Sequence, residues 1–194
     1  VFMNFSSGVE SQKDNIAIQL NEKVIQKIVD DFSNLSQVQL VQKYDLKDTR
    51  DWKIANAINV IKNKLGSIEK IAYRPFDFQY TFYSTKSKSF LAYPRFETMQ
   101  HFLSGENLGL TFVKFGKGSD HTSAFINNGL VERCQLVGHS SGCYITPLYL
   151  YDIEGKTPNF TPEFLAYKAK HKILKHKNEE QILAFIYANL YNPK

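Results

Sequence analysis

Apolar residues recur at helical spacing in the first third of the chain, at every second position through the middle, and at helical spacing again near the end. Val24, Ile25, Ile28, Val29 and Phe32 form one stripe behind Asn21, a good N-cap residue. Residues 36–44 predict a second helix. A third is expected from near Thr49, with Trp52, Ile54, Ala57, Ile58 and Ile61 inward and Gly66 as its stop. Residues 16–20 alternate as a short strand would. From Ile68 the period is two, predicting strands at 68–73, 77–84, 107–115, 121–127, 130–137 and 143–151. Asn128-Gly129 is a two-residue hairpin signal, and Pro147 implies an edge strand or a bulge. Helices are expected at 96–103, 162–171 and 179–190, the last with Ile182, Phe185, Ile186 and Leu190 on one stripe.

Helices, then strands, then helices predict an α+β fold: a mostly antiparallel, twisted sheet braced by N-terminal and C-terminal helices. Residues 1–66 are expected as a helical part packing on a sheet-based part, residues 67–194, the two forming one compact domain. Val1 stands where an initiator Met would, and the sequence stops at Lys194 just past an apolar helical pattern, so a piece of a longer polypeptide is expected.

The 194 residues are 43% hydrophobic, enough for a sizeable core, and 15 Phe and 11 Tyr make the chain rich in aromatics suited to wet recognition surfaces. The net charge of +5 is local: residues 47–117 hold 12 Lys/Arg against 6 Asp/Glu. A basic segment in an otherwise near-neutral chain points to an anionic partner. Two cysteines, Cys134 and Cys143, make no disulfide framework and suggest a reducing cytoplasm. No apolar run approaches the ~20 residues of a membrane span, so no membrane partner is expected.

Motifs for catalysis are sparse. Gly116-Lys117-Gly118 lacks the rest of a phosphate loop, there is no Gly-x-Ser-x-Gly elbow, and Asn192-Pro193 lacks the second proline and ring of an amino-methyltransferase motif. Cys143 with His139 reads better as a small buried residue beside a loop than as nucleophile and base. Cys134, His139 and Cys143 with His121 could ligate zinc, but without the tight Cys-x-x-Cys pair.

Material for nucleic-acid contact is richer. Arg74, held extended before Pro75, either clamps a phosphate or pairs with Asp77 as a structural corner. The polar loop 84–89 offers Lys86 and Lys88, and Arg95 and Lys114 follow; these five cations are the candidate phosphate contacts. Two loops carry small donor and acceptor side chains able to reach base edges: Lys117, Asp120 and His121 in one, His139, Ser140 and Ser141 in the other. The basic stretch Lys168 to Lys177 spreads its charge over several faces and reads as solvated.

Phe5-Ser6-Ser7-Gly8-Val9 with Lys13-Asp14, and Tyr73-Arg74-Pro75-Phe76-Asp77 with Tyr80 and Tyr83, resemble blocks in the C-terminal region of type ISP restriction–modification enzymes, related to type IIG enzymes. Pro94 to Glu97, Asn107 to Leu110, Tyr144 to Tyr151, Pro158-Asn159-Phe160 and Ile186-Tyr187-Ala188 continue the likeness in order. Lys13 and Gln79 depart from the family's arginines, and the chain stops before the family's basic, aromatic extension. The resemblance implies a specificity domain that recognises double-stranded DNA and has no catalytic site or cofactor of its own. It further implies a parent endonuclease and adenine-N6 methyltransferase of the bacterial cytoplasm, using S-adenosylmethionine, Mg2+ and ATP. The segment's partners would then be duplex DNA and the methyltransferase domain, with no small-molecule substrate. The rival reading is a coupler that docks on those domains without reading DNA.

Overall fold

The computed structural model describes residues 1–113, 124–136 and 142–191. The fold is α+β, with antiparallel sheets, and contacts divide it into two compact units: residues 9–96, and residues 1–8 with 97–194. Residue 66 lies inside the first unit, where the hairpin that follows it packs with the helices. Among the described residues no helix is long and apolar enough to cross a membrane.

Strand β1 (Ser6–Ser7) belongs to the second unit; the first begins with α1 (Asp14–Ala17). This short helix replaces the strand expected at 16–20. Its first turn is fixed by Ser11, whose hydroxyl bonds the Asp14 carboxylate and accepts Lys13 N–H at 3.1 Å. Only Gln19 retains strand character, bridging Tyr80. Helix α2 (Glu22–Asn34) starts where Asn21 accepts Lys23 N–H, and buries Ile25, Ile28 and Phe32 while leaving Val24 exposed. Helix α3 (Gln37–Tyr44) opens with a reciprocal Ser36–Gln39 capping box.

Helix α4 (Ile54–Lys62) starts later than Thr49. The Thr49 hydroxyl accepts Trp52 N–H at 3.0 Å and the Asp48 carboxylate accepts Ile54 N–H at 2.9 Å, so side chains turn the backbone before a helix can form. Lys64 (φ +53°), not Gly66, supplies the left-handed residue after α4. Gly66 opens β2 (Gly66–Arg74) instead, where a side chain would collide with the Tyr83 carbonyl.

Strand β2 pairs antiparallel with β3 (Asp77–Ser84). The register shifts between Ala72 and Arg74, making Tyr73 the extra residue of a bulge, and its hydroxyl reaches the Asp14 carboxylate at 3.0 Å. The core of this unit centres on Phe90, fully buried and edge-on to Phe32 and Phe82 at 5.6 and 5.8 Å. Trp52 is also fully buried and donates its indole N–H to Phe90 O at 3.1 Å. Each such ring contributes about 1.5–3 kcal/mol through burial.

In the second unit, α5 (Phe96–Leu103) precedes a four-stranded antiparallel sheet of order β1-β7-β4-β5, formed with β4 (Gly109–Phe112), β5 (Ala124–Asn127) and β7 (Tyr144–Pro147). Strand β5 is an edge of that sheet, so the short β6 (Leu130–Val131) is not its neighbour and Asn128-Gly129 does not close the expected hairpin. Pro147 is the last residue of a central strand. It pairs with Gly109 of β4, while β1 reaches only Tyr144 and Ile145 on the other side, so no ladder donor is needed there. The chain breaks at Leu148 and forms a second hairpin, β8 (Tyr149–Asp152) with β9 (Gly155–Pro158). The Asp152 carboxylate closes its turn by accepting Glu154 and Gly155 N–H, a signal the alternation did not reveal. Helix α6 (Pro162–Lys170), capped by Thr161, and α7 (Glu179–Tyr191) complete the unit. Leu110, Ala124, Leu148, Phe160, Ile182 and Leu183 form its core.

Candidate nucleic-acid interface

Lys88 directly, and Arg95 through the Tyr93 ring, are linked to one carboxylate that sequence reasoning did not single out. Asp51 is almost fully buried, with a side chain 7% exposed. One of its oxygens accepts Arg50 Nε and Nη2 at 2.9 and 2.7 Å; the other faces Lys88 Nζ at 3.6 Å. The Tyr93 hydroxyl donates to the same carboxylate, which raises its own pKa. The Arg95 guanidinium then lies 4.8 Å over the Tyr93 ring. The Arg50 hydrogen bonds outweigh burial and hold the Asp51 carboxyl down at about 2. Three cations thus gather on one anion and one ring, and the Arg50 side chain remains 88% exposed. Such a cluster offers fixed N–H donors and surplus positive charge to an anionic group, and no general acid or base near neutrality.

The backbone beneath it is rigidly held. Lys88 has φ +55°, its N–H donates to Ala92 O at 2.8 Å and its carbonyl accepts Asn56 Nδ2 at 2.9 Å. Glu10 and Tyr93 exchange both backbone hydrogen bonds at 3.0 Å. Lys86 is exposed on the same loop. The polar loop 84–89 is only partly a surface, because Ser84 and Ser89 are buried and bond inward, Ser89 to Lys86 O at 2.5 Å.

Arg74 stands apart, at the opposite end of β3 from Lys86. Seven residue steps separate Asp77 from Ser84, about 23 Å of strand. Its guanidinium lies 3.9 Å over its own Tyr73 ring and Nη1 donates to Tyr73 O at 2.6 Å. Arg74 and Asp77 pair in register across the turn, where Phe76 takes φ +63° behind Pro75. These features support the structural-corner reading for Arg74. Gln79, at the position of a family arginine, is buried and donates to Asp77 at 3.0 Å.

Lys114, Lys117, Asp120, His121, His139, Ser140 and Ser141 lie outside the described residues. Of the strands around them, β4, β5 and β7 meet at one end of the second unit's sheet, whereas β6, which precedes 137–141, does not belong to it. Phe112, near the end of β4, pairs with Ala124, which opens β5, and with Tyr144, which opens β7; Tyr144 pairs in turn with Ser7. The Phe112 and Tyr144 rings are stacked at 6.0 Å. Arg133 runs beside this strand end: its carbonyl accepts Cys143 N–H at 2.6 Å, and a side chain at Gly142 would come within 2.9 Å of its Nε. Sequence reasoning missed Arg133 because a lone arginine inside the strand expected at 130–137 has no pattern of its own.

The two cysteines are both buried and free. Burial pushes the Cys143 thiol up to about 11, and its Sγ donates to Glu132 O at 3.5 Å, the environment of a packed thiol rather than a nucleophile. Among the described residues no cluster of His, Cys, Asp or Glu has metal-binding geometry.

The Type ISP C-terminal specificity domain matches residues 1–194. The chain belongs to that family. Among curated proteins, none matches this sequence. Three solved structures share the specificity-domain fold. The DrdV–DNA complex superposes with a TM-score of 0.66 at 19% identity, over 98% of this chain and 19% of that one. The ATP-dependent Type ISP restriction-modification enzyme LlaBIII bound to DNA gives 0.66 at 15% identity, over 98% and 13%. A nuclease-deletion mutant of the Type ISP enzyme LlaGI, in complex with a DNA substrate mimic, gives 0.56 at 14% identity, over 87% and 18%. The chain therefore spans less than a fifth of the length of each of these proteins.

Proposed function

We propose that this specificity domain recognises a sequence in double-stranded DNA and directs the catalytic domains of a restriction–modification polypeptide to it. The observation that carries the reading is the Asp51-anchored cluster: Arg50, Lys88 and Arg95 held as preset phosphate contacts, with Lys86 beside them on the same loop. Three similar structures captured with DNA support it. Base readout falls to Lys117, Asp120, His121, His139, Ser140 and Ser141, with Lys114 on a phosphate. The sheet end at Phe112, shared by β4, β5 and β7, supports grouping the two segments as one reading surface. Adenine methylation, cleavage and translocation would reside in other domains of the parent polypeptide, together with S-adenosylmethionine, Mg2+ and ATP. The methyltransferase domain would be the covalent neighbour, and the bacterial cytoplasm the compartment.

The test is an electrophoretic shift on duplex DNA across a salt series. If about four phosphates are neutralised, the log–log salt slope is roughly −3 to −4. Lys86→Ala and Lys88→Ala should each weaken binding to all duplexes alike and flatten that slope by about one. A salt-insensitive interaction, or a variant that changes which duplex is preferred, would show the cluster to be misassigned.

A further inference from the structure

Helix α7 is apolar almost all round: from Ile182 to Tyr191 only Asn189 is polar. A helix of that composition is normally covered on every side. Here one side is covered. Ile182 and Leu183 are buried, and Ile186, Tyr187 and Leu190 pack on the unit's core, but Phe185 and Tyr191 are each 60% exposed. Helix α6 buries none of its residues. Between α6, the 3-10 turn Leu174–His176 and α7 runs an open groove of about 590 Å³, lined by Phe164, Tyr167, Ile173, Leu174, Ile182 and Phe185.

The segment that forms one wall of this groove is rich in cations. Residues 165–178 contain Lys168, Lys170, Lys172, Lys175 and Lys177 with His171 and His176, and no acid. His171 and Lys177 border the groove itself, and Lys170, Lys172 and Lys175 are exposed. The two acids that follow this stretch are engaged: Glu179 pairs with Lys168 at 3.3 Å, and Glu180 accepts the Tyr149 hydroxyl at 2.5 Å; Glu163, which precedes it, is exposed on the first turn of α6. An apolar floor beside a cation-rich wall is the wrong floor for a nucleic-acid backbone, whose phosphates need polar donors. It is complementary to a helix with an apolar stripe and acidic flanks. Helix α2 of a second copy does not have that character, since it carries Lys23 and Lys27 beside its acids and its apolar stripe is already buried.

We propose that the α6–α7 groove is a docking site for an acidic amphipathic helix of a protein segment outside this chain. The inference is independent of the DNA reading, and its failure would leave that reading untouched.

The test uses the 194-residue chain and a fluorescein-labelled synthetic peptide of about five helical turns, with Leu on one face and Glu elsewhere. A matched peptide with Lys in place of Glu is the control. Anisotropy should show saturable binding of the Glu peptide, at least about tenfold tighter than the Lys peptide. Phe185→Ser should weaken it about tenfold, and so should Lys172→Glu combined with Lys175→Glu. Because these positions are exposed, the variants should keep the parental circular dichroism spectrum and duplex binding, and retention of both is part of the expected result. No binding, equal affinity for the two peptides, or no effect of Phe185→Ser would overturn the proposal. So would displacement of the peptide by duplex DNA, or self-association of the chain that Phe185→Ser abolishes.

Discussion

The Asn159 side chain bonds both backbone polar groups of Asn4, 155 positions earlier: its Oδ1 accepts Asn4 N–H at 2.8 Å, and its Nδ2 donates to Asn4 O at 2.8 Å. The same amide also donates to Pro147 O at 2.7 Å and Thr146 Oγ1 at 3.0 Å, and accepts Met3 N–H at 3.1 Å. One fully buried side chain thus ties the N-terminal segment to the end of β7. Asn159→Ala leaves several buried groups without partners and should cost about 3 kcal/mol in a urea melt. Asn159→Asp should cost more, because a carboxylate cannot donate to the oxygens now facing Nδ2. Equal stability of the three proteins would show that the network contributes nothing net.

This explains what the recognisable motifs encode. Asn159 of Pro158-Asn159-Phe160 ties the N-terminal segment to the end of β7. Gly8 of the Ser-Gly-Val block lies where a Cβ would come within 2.7 Å of the Glu132–Arg133 backbone. Tyr73 and Asp14, from two separate blocks, bond each other. The segments that reveal the family are those that assemble the fold, and packing imposes strong constraints on residue type. The α+β order, α2, α3, α5 and the β2–β3 hairpin were legible because their periodicity and caps agree. The start of α4 and the nature of α1 were not, because Thr49, Asp48, Ser11 and Asp14 side chains compete locally with the apolar pattern. The phosphate cluster was half legible. Its lysine loop could be seen, but the organising Asp51 and Tyr93 lie 42 residues apart in sequence and meet only through the Glu10–Tyr93 bridge and the loop on α4.

The Asp51 cluster predicts an acid limb in stability. Its folded carboxyl sits at about 2, below the ordinary 3.8. Between those values the unfolded chain binds a proton that the folded chain refuses, so the contribution is present above about pH 4 and is lost as pH falls toward 2. Urea melts from pH 5 to 2.5 should show the wild type losing stability faster than Asp51→Asn. Parallel curves would mean the carboxylate gains nothing from Arg50, Lys88 and Tyr93.

His101 predicts a second pH effect at milder acidity. It is buried, its Nδ1 accepts Tyr151 N–H at 3.0 Å, and burial lowers its pKa below the ordinary 6.5. As pH falls through 6.5 the unfolded imidazole takes a proton first, so stability declines from there downward. His101→Asn can keep an acceptor near Tyr151 and has no charge to gain. Melting temperatures between pH 7.5 and 5 should fall for the wild type and stay more nearly level for the variant. A variant that falls as steeply would place the sensitivity on another group.

Base readout and phosphate holding should separate by mutation. Phe112 pairs with Ala124 and with Tyr144 at one end of the second unit's sheet, and the readout proposed for Lys117 to His121 and His139 to Ser141 is tested directly by substitution. A side chain bonded to a base edge discriminates by ~1–3 kcal/mol against the wrong base, whereas a phosphate contact does not. His139→Ala and Ser140→Ala should therefore lower affinity for the preferred duplex about tenfold or more while leaving random duplex nearly unchanged. Selection of bound sequences from a randomised pool should return a relaxed or altered base at one position for each variant. Lys86→Ala, carried through the same selection, should return the wild-type sequence at lower yield. If His139→Ala and Ser140→Ala also return the wild-type sequence, with uniform loss across the pool, then 137–141 holds the backbone and the bases are read elsewhere.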